Sequence, residues 1–505
     1  MIETAASRQQ RWSFFESPHG LEFLHRLVTA IHLVLGQSSD GGIRNICWLL
    51  ELCQLDPFIA TSYGAQQKIA VSIEQTIEVF GQEERARLAL QMPKRKITLC
   101  EDETFHPQIC LVAIEPVSNF LILEAYAAKR DAPTWNTAVN EALKPFSVDV
   151  IQCVSDQATA LIAHAESSLG VHHSPDLFHV QQEASRATSG PLYRQKQKAE
   201  KPLQAAVTAL QTNIAKFEHF QGNWPNTIEQ LEQEKKLVEE RPALELAVHQ
   251  AREAFELAQG KQTRARSARV GIGQAYHPFD LQTGAPVAAA EVEARLMIHF
   301  DTLDQVALDA GLSESAKARL AKAKRVLPSM VATIAFFWRM IADRVALLEH
   351  SPETIRIWLN NLLPGCYLAA VAERCRDPEE RKRLRELSKS LIGTANARDG
   401  PLKDLSDAEV SQLETHARLA SELFQRSSSC VEGRNGQLSL RHHGLRTISP
   451  RKLRVLGVLH NYVIKRRDGT TAAKRFFGQE HRDLFAFLLE RVGLPPRPRE
   501  RTQSK

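Results

Sequence analysis

No two of the eight cysteines form a CxxC pair. That absence excludes a zinc ribbon and a disulfide scaffold. The apolar runs around Cys47, Cys100, Cys110 and Cys153 fit buried thiols in a reducing compartment. No apolar run reaches the roughly 18 residues of a membrane span. Met1 to Ser13 is polar and mixed, without the apolar stretch of a signal peptide. No internal repeat has a convincing period. Gly271 and Gly273 lack the third glycine of a dinucleotide fingerprint and follow no strand-like run, which removes a Rossmann reading. The expectation left standing is a cytoplasmic protein with no membrane partner.

What is present is apolar residue in quantity, 43% of 505 residues, enough for real cores and about three domains by length. Net charge is only +5, but it is unevenly placed. From Arg441 to Arg475 there are ten Lys and Arg against one acid, Asp468. Such a local excess points to a polyanion, and nucleic acid is the usual one. The plain alternative is a solvated helical face.

The periodicity changes along the chain. Leu21, Leu24, Leu27, Val28 and Ile31 repeat at helical spacing, and Gly41-Gly42 breaks the pattern. Ile43, Ile46, Cys47 and Leu50 mark a second helix. Thr61-Ser62 can cap a third, with Ile69, Ile73, Ile77 and Phe80 on one face. Two helices around a short turn predict a helix-turn-helix. Gln66, Gln67 and Lys68 in the last helix are suited to base edges and phosphates. From Ile97 three short β-branched runs follow, Ile97–Cys100, Ile109–Ile114 and Phe120–Leu123. A helix over 134–143 and a strand over 148–154 come next. Residues 196–425 are helical in composition, with Leu203, Leu210, Ile214 and Phe217 at heptad-like spacing and an interruption at Val270–Pro286. The predicted organisation is a helical DNA-binding region over 1–92, an α/β core over 93–195 and an all-α insertion over 196–425. Core completion with basic helices follows over 426–490, and a basic tail over 491–505.

Acids end the apolar runs. Ile97-Thr98-Leu99-Cys100 leads to Glu101-Asp102-Glu103, and Val150-Ile151-Gln152-Cys153-Val154-Ser155 leads to Asp156. Ser428-Ser429-Cys430-Val431 leads to Glu432, then Gly433, Arg434 and Asn435. Side chains alternate across a strand, so Asp102 faces away from Glu101 and Glu103. Asp102 is the choice, its short side chain holding geometry more tightly. Arg434 and Asn435, with Lys465, Arg466 and Arg467 further on, are expected to contact DNA beside Glu432. Asp176-Leu177-Phe178-His179 follows the helix after Asp156.

These stretches, with Gly42-Ile43-Arg44, Ser62-Tyr63-Gly64-Ala65-Gln66-Gln67, Asp102-Glu103-Thr104-Phe105-His106 and Val431-Glu432-Gly433-Arg434-Asn435-Gly436, resemble a bacterial insertion-sequence transposase of the DDE superfamily. Strand-Asp, strand-Asp, helix-Glu is the order of that RNase H-like core. The helical insertion before the Glu is similar to that of hAT-like transposases. Asp176 and His179 resemble the C/D-x-x-H signature, in a supporting role. The resemblance implies an RNase H-like α/β core (mixed sheet) with an all-α N-terminal helix-turn-helix region and a large all-α insertion. It also implies Asp102, Asp156 and Glu432 as catalytic and metal ligands for two Mg²⁺ ions, with Mn²⁺ able to substitute. The implied partners are double-stranded DNA, as terminal repeats and target, and further copies of the chain. The implied place is the cytoplasm, at the nucleoid. Two divalent ions stabilise the attacking and leaving oxygens of phosphoryl transfer, and hard ions take carboxylate oxygens. An inactive or domesticated DNA-binding relative and an RNase H-like nuclease are the alternatives.

Overall fold

The computed structural model describes residues 13–222, 227–397, 400, 402–445 and 447–497. Residues 1–12 of the expected N-terminal region, Arg446 and most of the basic tail lie outside the described residues. The chain divides into two compact units, one of 1–174 with 427–505, the other Pro175–Arg426.

Unit 1 begins with α1 (Pro18–Ile31), a π-helical turn (His32–Ser38), α2 (Ile43–Leu52) and α3 (Tyr63–Leu90). The sheet follows: β1 (Arg95–Phe105), β2 (Ile109–Glu115), β3 (Phe120–Ala127), α4 (Ala132–Leu143) and β4 (Val148–Ser155). After α5 (Thr159–Ala163) and a second π-helical turn (His164–Leu169), β5 (His172–Pro175) completes it. The strand order is β3-β2-β1-β4-β5. β1–β2 and β2–β3 are antiparallel, and β1–β4 is parallel with Leu99 opposite Cys153 and Cys100 opposite Val154. A central strand covered on both faces reads as a nearly unbroken apolar run, as Ile97–Cys100 does. Leu99 enters the core that also holds Trp135 and Leu161. Cys100 enters the opposite core with Val431 and Leu438.

Unit 2 opens with two long helices, α6 (Leu177–Gly222) and α7 (Ile228–Ala275). Partly buried Leu237, Arg241, Leu244, Val248, Ala251, Phe255, Ala258 and Gln262 of α7, with buried Ala265, fall on alternating four- and three-residue steps. That is the seam of an antiparallel coiled-coil hairpin. Thr227 and Gln230 close a capping box at the start of α7. The helix runs on to Ala275, so Val270–Ala275 does not interrupt it as the two glycines had suggested. Propensity lost at Gly271 and Gly273 is offset by packing: a Cβ at Gly271 would strike the His299 ring, and one at Gly273 would meet Gln181. Then come α8 (Ala289–Asp309), α9 (Glu314–Lys324), α10 (Leu327–Val345), α11 (Pro352–Ile357), a π-helical turn (Trp358–Leu362), α12 (Leu363–Arg374), α13 (Pro378–Ala395) and α14 (Asp407–Ser421). One stretch, Glu314–Val345, is long and apolar enough for a membrane span by length and composition. Half of its most apolar part is buried inside the protein, as Met330, Ile334, Phe337 and Ile341 are in the core of unit 2.

The chain returns to unit 1 through α15 (Ser429–Leu445), α16 (Pro450–Tyr462), α17 (Ala472–Phe477) and α18 (Leu484–Arg491). Ile73, Ile77, Phe80 and Leu88 of α3 share one core with Ile97 and Leu99 of β1 and with Val455 and Phe487. α3 and the sheet are therefore built on common apolar contacts, while Leu24, Val28, Ile46 and Leu50 of α1 and α2 form a core of their own.

Candidate active site at the end of the parallel strand pair

β1 and β4 run side by side, and two residues beyond Cys100 and Val154 stand Asp102 and Asp156. The period-two alternation turns Asp102 to the same side as Cys100, the side covered by α15. Val431 and Leu438 anchor α15 on that face. Asn435 lies between them, 9% exposed, and donates from Nδ2 to Asp102 Oδ2 at 2.8 Å. Asp102 Oδ1 accepts the Glu103 amide at 2.9 Å. Glu432 is half-buried three residues before Asn435, hence one helical turn away on a neighbouring strip of α15. Asp156 Oδ1 accepts the Ala158 amide at 2.9 Å, which fixes the turn into α5.

Beneath these groups the face carries a buried polar ladder. Thr98 donates to Gln152 at 3.1 Å, and Gln152 donates to Ser174 at 2.6 Å. An odd number of residues from Ser174 and Gln152, and so turned to the other face by the same alternation, His173 Nε2 lies 2.9 Å from Ser155 Oγ. Burial drives the His173 ring down to about 4 although Asp156 stands nearby, so the imidazole is neutral at pH 7. On the opposite face Glu101 is wholly buried, 3.3 Å from the equally buried His164. Glu103 is held by Arg130 at 3.0 Å, and burial, with the Asp156 charge, raises its carboxyl above the ordinary value.

Other expected site residues sit elsewhere. Gln66 is wholly buried. It bonds His32 at 2.8 Å and donates to the Ala60 carbonyl at 2.7 Å, which removes it from any surface that bases could reach. Gln67 and Lys68 are exposed in the first turns of α3. Arg434 was expected on phosphate. Instead it makes a buried two-pronged pair with Glu124 of β3, at 2.6 and 2.7 Å. Asn435, also expected on DNA, holds Asp102. Lys465, Arg466 and Arg467 are exposed on the loop closed by the bridge between Lys465 and Thr471. Asp176 belongs to unit 2, where its carboxylate caps α6 by accepting the Phe178 amide at 3.0 Å. His179 is 3.7 Å from it.

Sequence reasoning missed His173, Glu124 and the buried Glu101–His164 contact. Glu124 had a visible signal, since an acid inside the apolar run Phe120–Tyr126 needs a partner once buried. No local signal identifies which partner. Asp102 and Asp156 stand at the ends of neighbouring strands and Glu432 one helical turn from Asn435, each with carboxylate oxygens to offer, and Asn435 Oδ1 is buried without a hydrogen-bond partner. Oxygen donors of this kind are what a hard divalent cation takes.

A family model described as a family of unknown function (DUF6399) is similar to residues 358–504, which include Glu432 and α15. No curated protein matches the chain.

Proposed function

We propose that the protein is a DNA transposase with an RNase H-like core, cleaving and joining strands at the ends of an insertion element. The observation that carries the reading is the hydrogen bond from Asn435 to Asp102. It ties the first turns of α15 to the end of β1, beside a parallel strand ending in Asp156. The strand order β3-β2-β1-β4-β5, with a long helical unit inserted between β5 and α15, supports it further. Asp102, Asp156 and Glu432 would hold two Mg²⁺ ions, which when bound stabilise the attacking and leaving oxygens of the scissile phosphate. Asn435 fixes the rotamer of Asp102. Gln152 and Ser155 hold β4 against β1 and β5, so that Asp156 stays in register. Gln67 and Lys68 on α3, in a helix-turn-helix, and the Lys465–Arg467 loop would meet duplex DNA. The protein would work in the cytoplasm, at the nucleoid, as a homo-oligomer.

The test is strand transfer of a labelled terminal-repeat duplex into plasmid, in Mg²⁺ or Mn²⁺ against EDTA. Asp102→Asn, Asp156→Asn and Glu432→Gln should each lower transfer by orders of magnitude and keep duplex binding. Glu422→Gln is the control and should keep activity. Full activity in Glu432→Gln, or activity that persists in EDTA, would overturn the reading. Cleavage without joining would assign an RNase H-like nuclease, and binding without either would assign a DNA-binding relative.

A further inference from the structure

Unit 2 as a whole is close to charge balance, with 34 Lys and Arg against 33 Asp and Glu. The charges are nonetheless segregated along the hairpin. At its far end, α7 carries Glu229, Glu232, Glu234, Glu239, Glu240 and Glu245, and Lys235 and Lys236 pair with Glu239 and Glu240. At its root the sign reverses. Arg186, Arg194, Lys198 and Lys201 of α6 are all exposed, with no carboxylate partner among the described residues. Steps of 8, 4 and 3 residues keep these four within one side of the helix.

The root is extended by α9. Glu183 of α6 takes both Arg319, at 3.0 Å, and Lys322, at 3.4 Å, so two cations share one carboxylate. Glu183 lies 11 residues before Arg194 and 18 before Lys201, spacings that return to the same strip of an α-helix. The cations of α9 therefore continue the strip of α6. From Glu183 to Lys201 the face is about 27 Å long. Between those residues Tyr193 is the exposed large hydrophobic side chain. A protein-docking surface would need a buried apolar centre, which this face lacks. A regular row of cations along a rod matches a polyanion with regular charge, one per roughly 1.7 Å of duplex axis.

We infer that the root of the α6–α7 hairpin, with α9, is a phosphate-binding face for duplex DNA. The inference rests on the reading that DNA is the partner, but not on the assignment of the three acids. It gives the inserted unit a role that neither the catalytic residues nor the Lys465–Arg467 loop supplies.

The experiment measures anisotropy of a labelled random-sequence duplex with the full-length chain over a range of salt. R186Q/R194Q/K198Q/K201Q should reduce the slope of log K against log salt by about 3 to 4, at roughly 0.9 per lost phosphate contact. R194Q/K201Q should reduce it by about 2. The comparison K235Q/K236Q removes two charges already neutralised at the far end and should leave the slope unchanged. A slope unchanged in both root variants, while the wild type binds, overturns this inference and leaves the transposase reading standing. A wild type that binds no duplex overturns both. Binding of phosphatidylserine vesicles that exceeds duplex binding, and that the root variants abolish, assigns the face to a membrane surface and overturns it as well.

Discussion

Arg434 and Asn435 are neighbours in α15 with different partners, and the difference decides what each does. Arg434 reaches Glu124 in β3, and both side chains are at most 5% exposed. A buried guanidinium forked on a carboxylate satisfies the geometry of both groups, but neither tolerates the loss of the other. Arg434→Gln should therefore destabilise unit 1 by about 3–5 kcal/mol, read as a lower urea midpoint, because Glu124 keeps an uncompensated charge. The double change Arg434→Met with Glu124→Met should recover most of that loss. If Arg434→Gln unfolds like the wild type, the pair is not buried in solution. The Asn435 side chain is neutral and donates to Asp102, so its replacement acts on carboxylate position rather than on buried charge. Glu101, one residue from Asp102, is wholly buried beside His164, which makes Glu101→Gln a stability variant and a poor activity control.

Among the elements, the C-terminal basic stretch shows most clearly where sequence reading stops. Counted along the chain, ten cations against one acid make a strongly positive segment. In the fold α16 packs on α3 and brings that helix's acids to it. Arg451 and Arg454 both reach Glu78, at 3.4 and 2.5 Å. Arg441 pairs with Asp40 at 2.8 Å, and Lys474 pairs with Glu480. Lys452 is buried on the Gly36 carbonyl and Gln37, and burial lowers its ammonium to about 8. Glu78 and Asp40 come from hundreds of positions away, so no local count could include them, and Glu480 lies just past the segment. The Lys465–Arg467 loop stays exposed. Neutralising those three should flatten the salt dependence of duplex binding by about 0.9 per lost contact. Arg451→Gln with Arg454→Gln should leave the salt slope unchanged and lower stability instead. A slope that responds to the α16 pair and not to the loop would reverse this assignment. The strands and their terminal acids were legible because a covered parallel strand must be apolar and its end must be polar. The helix start at Leu177 was not, since α6 carries Pro191 and Pro202 inside it, and a heptad pattern became readable only beyond them. The charged partners of Arg434 and the burial of Gln66 were set by tertiary packing alone.

For the whole molecule, burial of neutral histidines sets how it answers acid. His173, 5% exposed, and His460, 7% exposed, are both held at about 4, chiefly by burial. His32 is lowered by the same cause, and in unit 2 so is His277, well below its ordinary value. Above pH 6.5 these rings are neutral in folded and unfolded chains alike, and they contribute no pH dependence. As pH falls from 6.5 towards 4 the unfolded chain takes up protons that the folded chain refuses, so stability falls throughout that window. A ring moved from 6.5 to about 4 accounts for at most ~3 kcal/mol at the bottom of the window. The carboxylates held below their ordinary range, Glu83 and Glu84 among them, add their loss only below about pH 4.5. Urea unfolding at pH 7 and at pH 4.5 therefore reads chiefly the histidines, with the raised carboxyl of Glu103 acting in the opposite direction. The midpoint should drop clearly at the lower pH, and His460→Gln should shrink that drop, since it removes a proton-binding site from the unfolded chain. His460 Nε2 bonds the Asn119 carbonyl at 2.9 Å. A glutamine there carries its amide donor at about the Nε2 position for the same oxygen, so the comparison tests proton linkage rather than loss of the contact. A midpoint that stays level between pH 7 and 4.5 would mean that the rings protonate without unfolding the protein, and that their burial does not govern its acid stability.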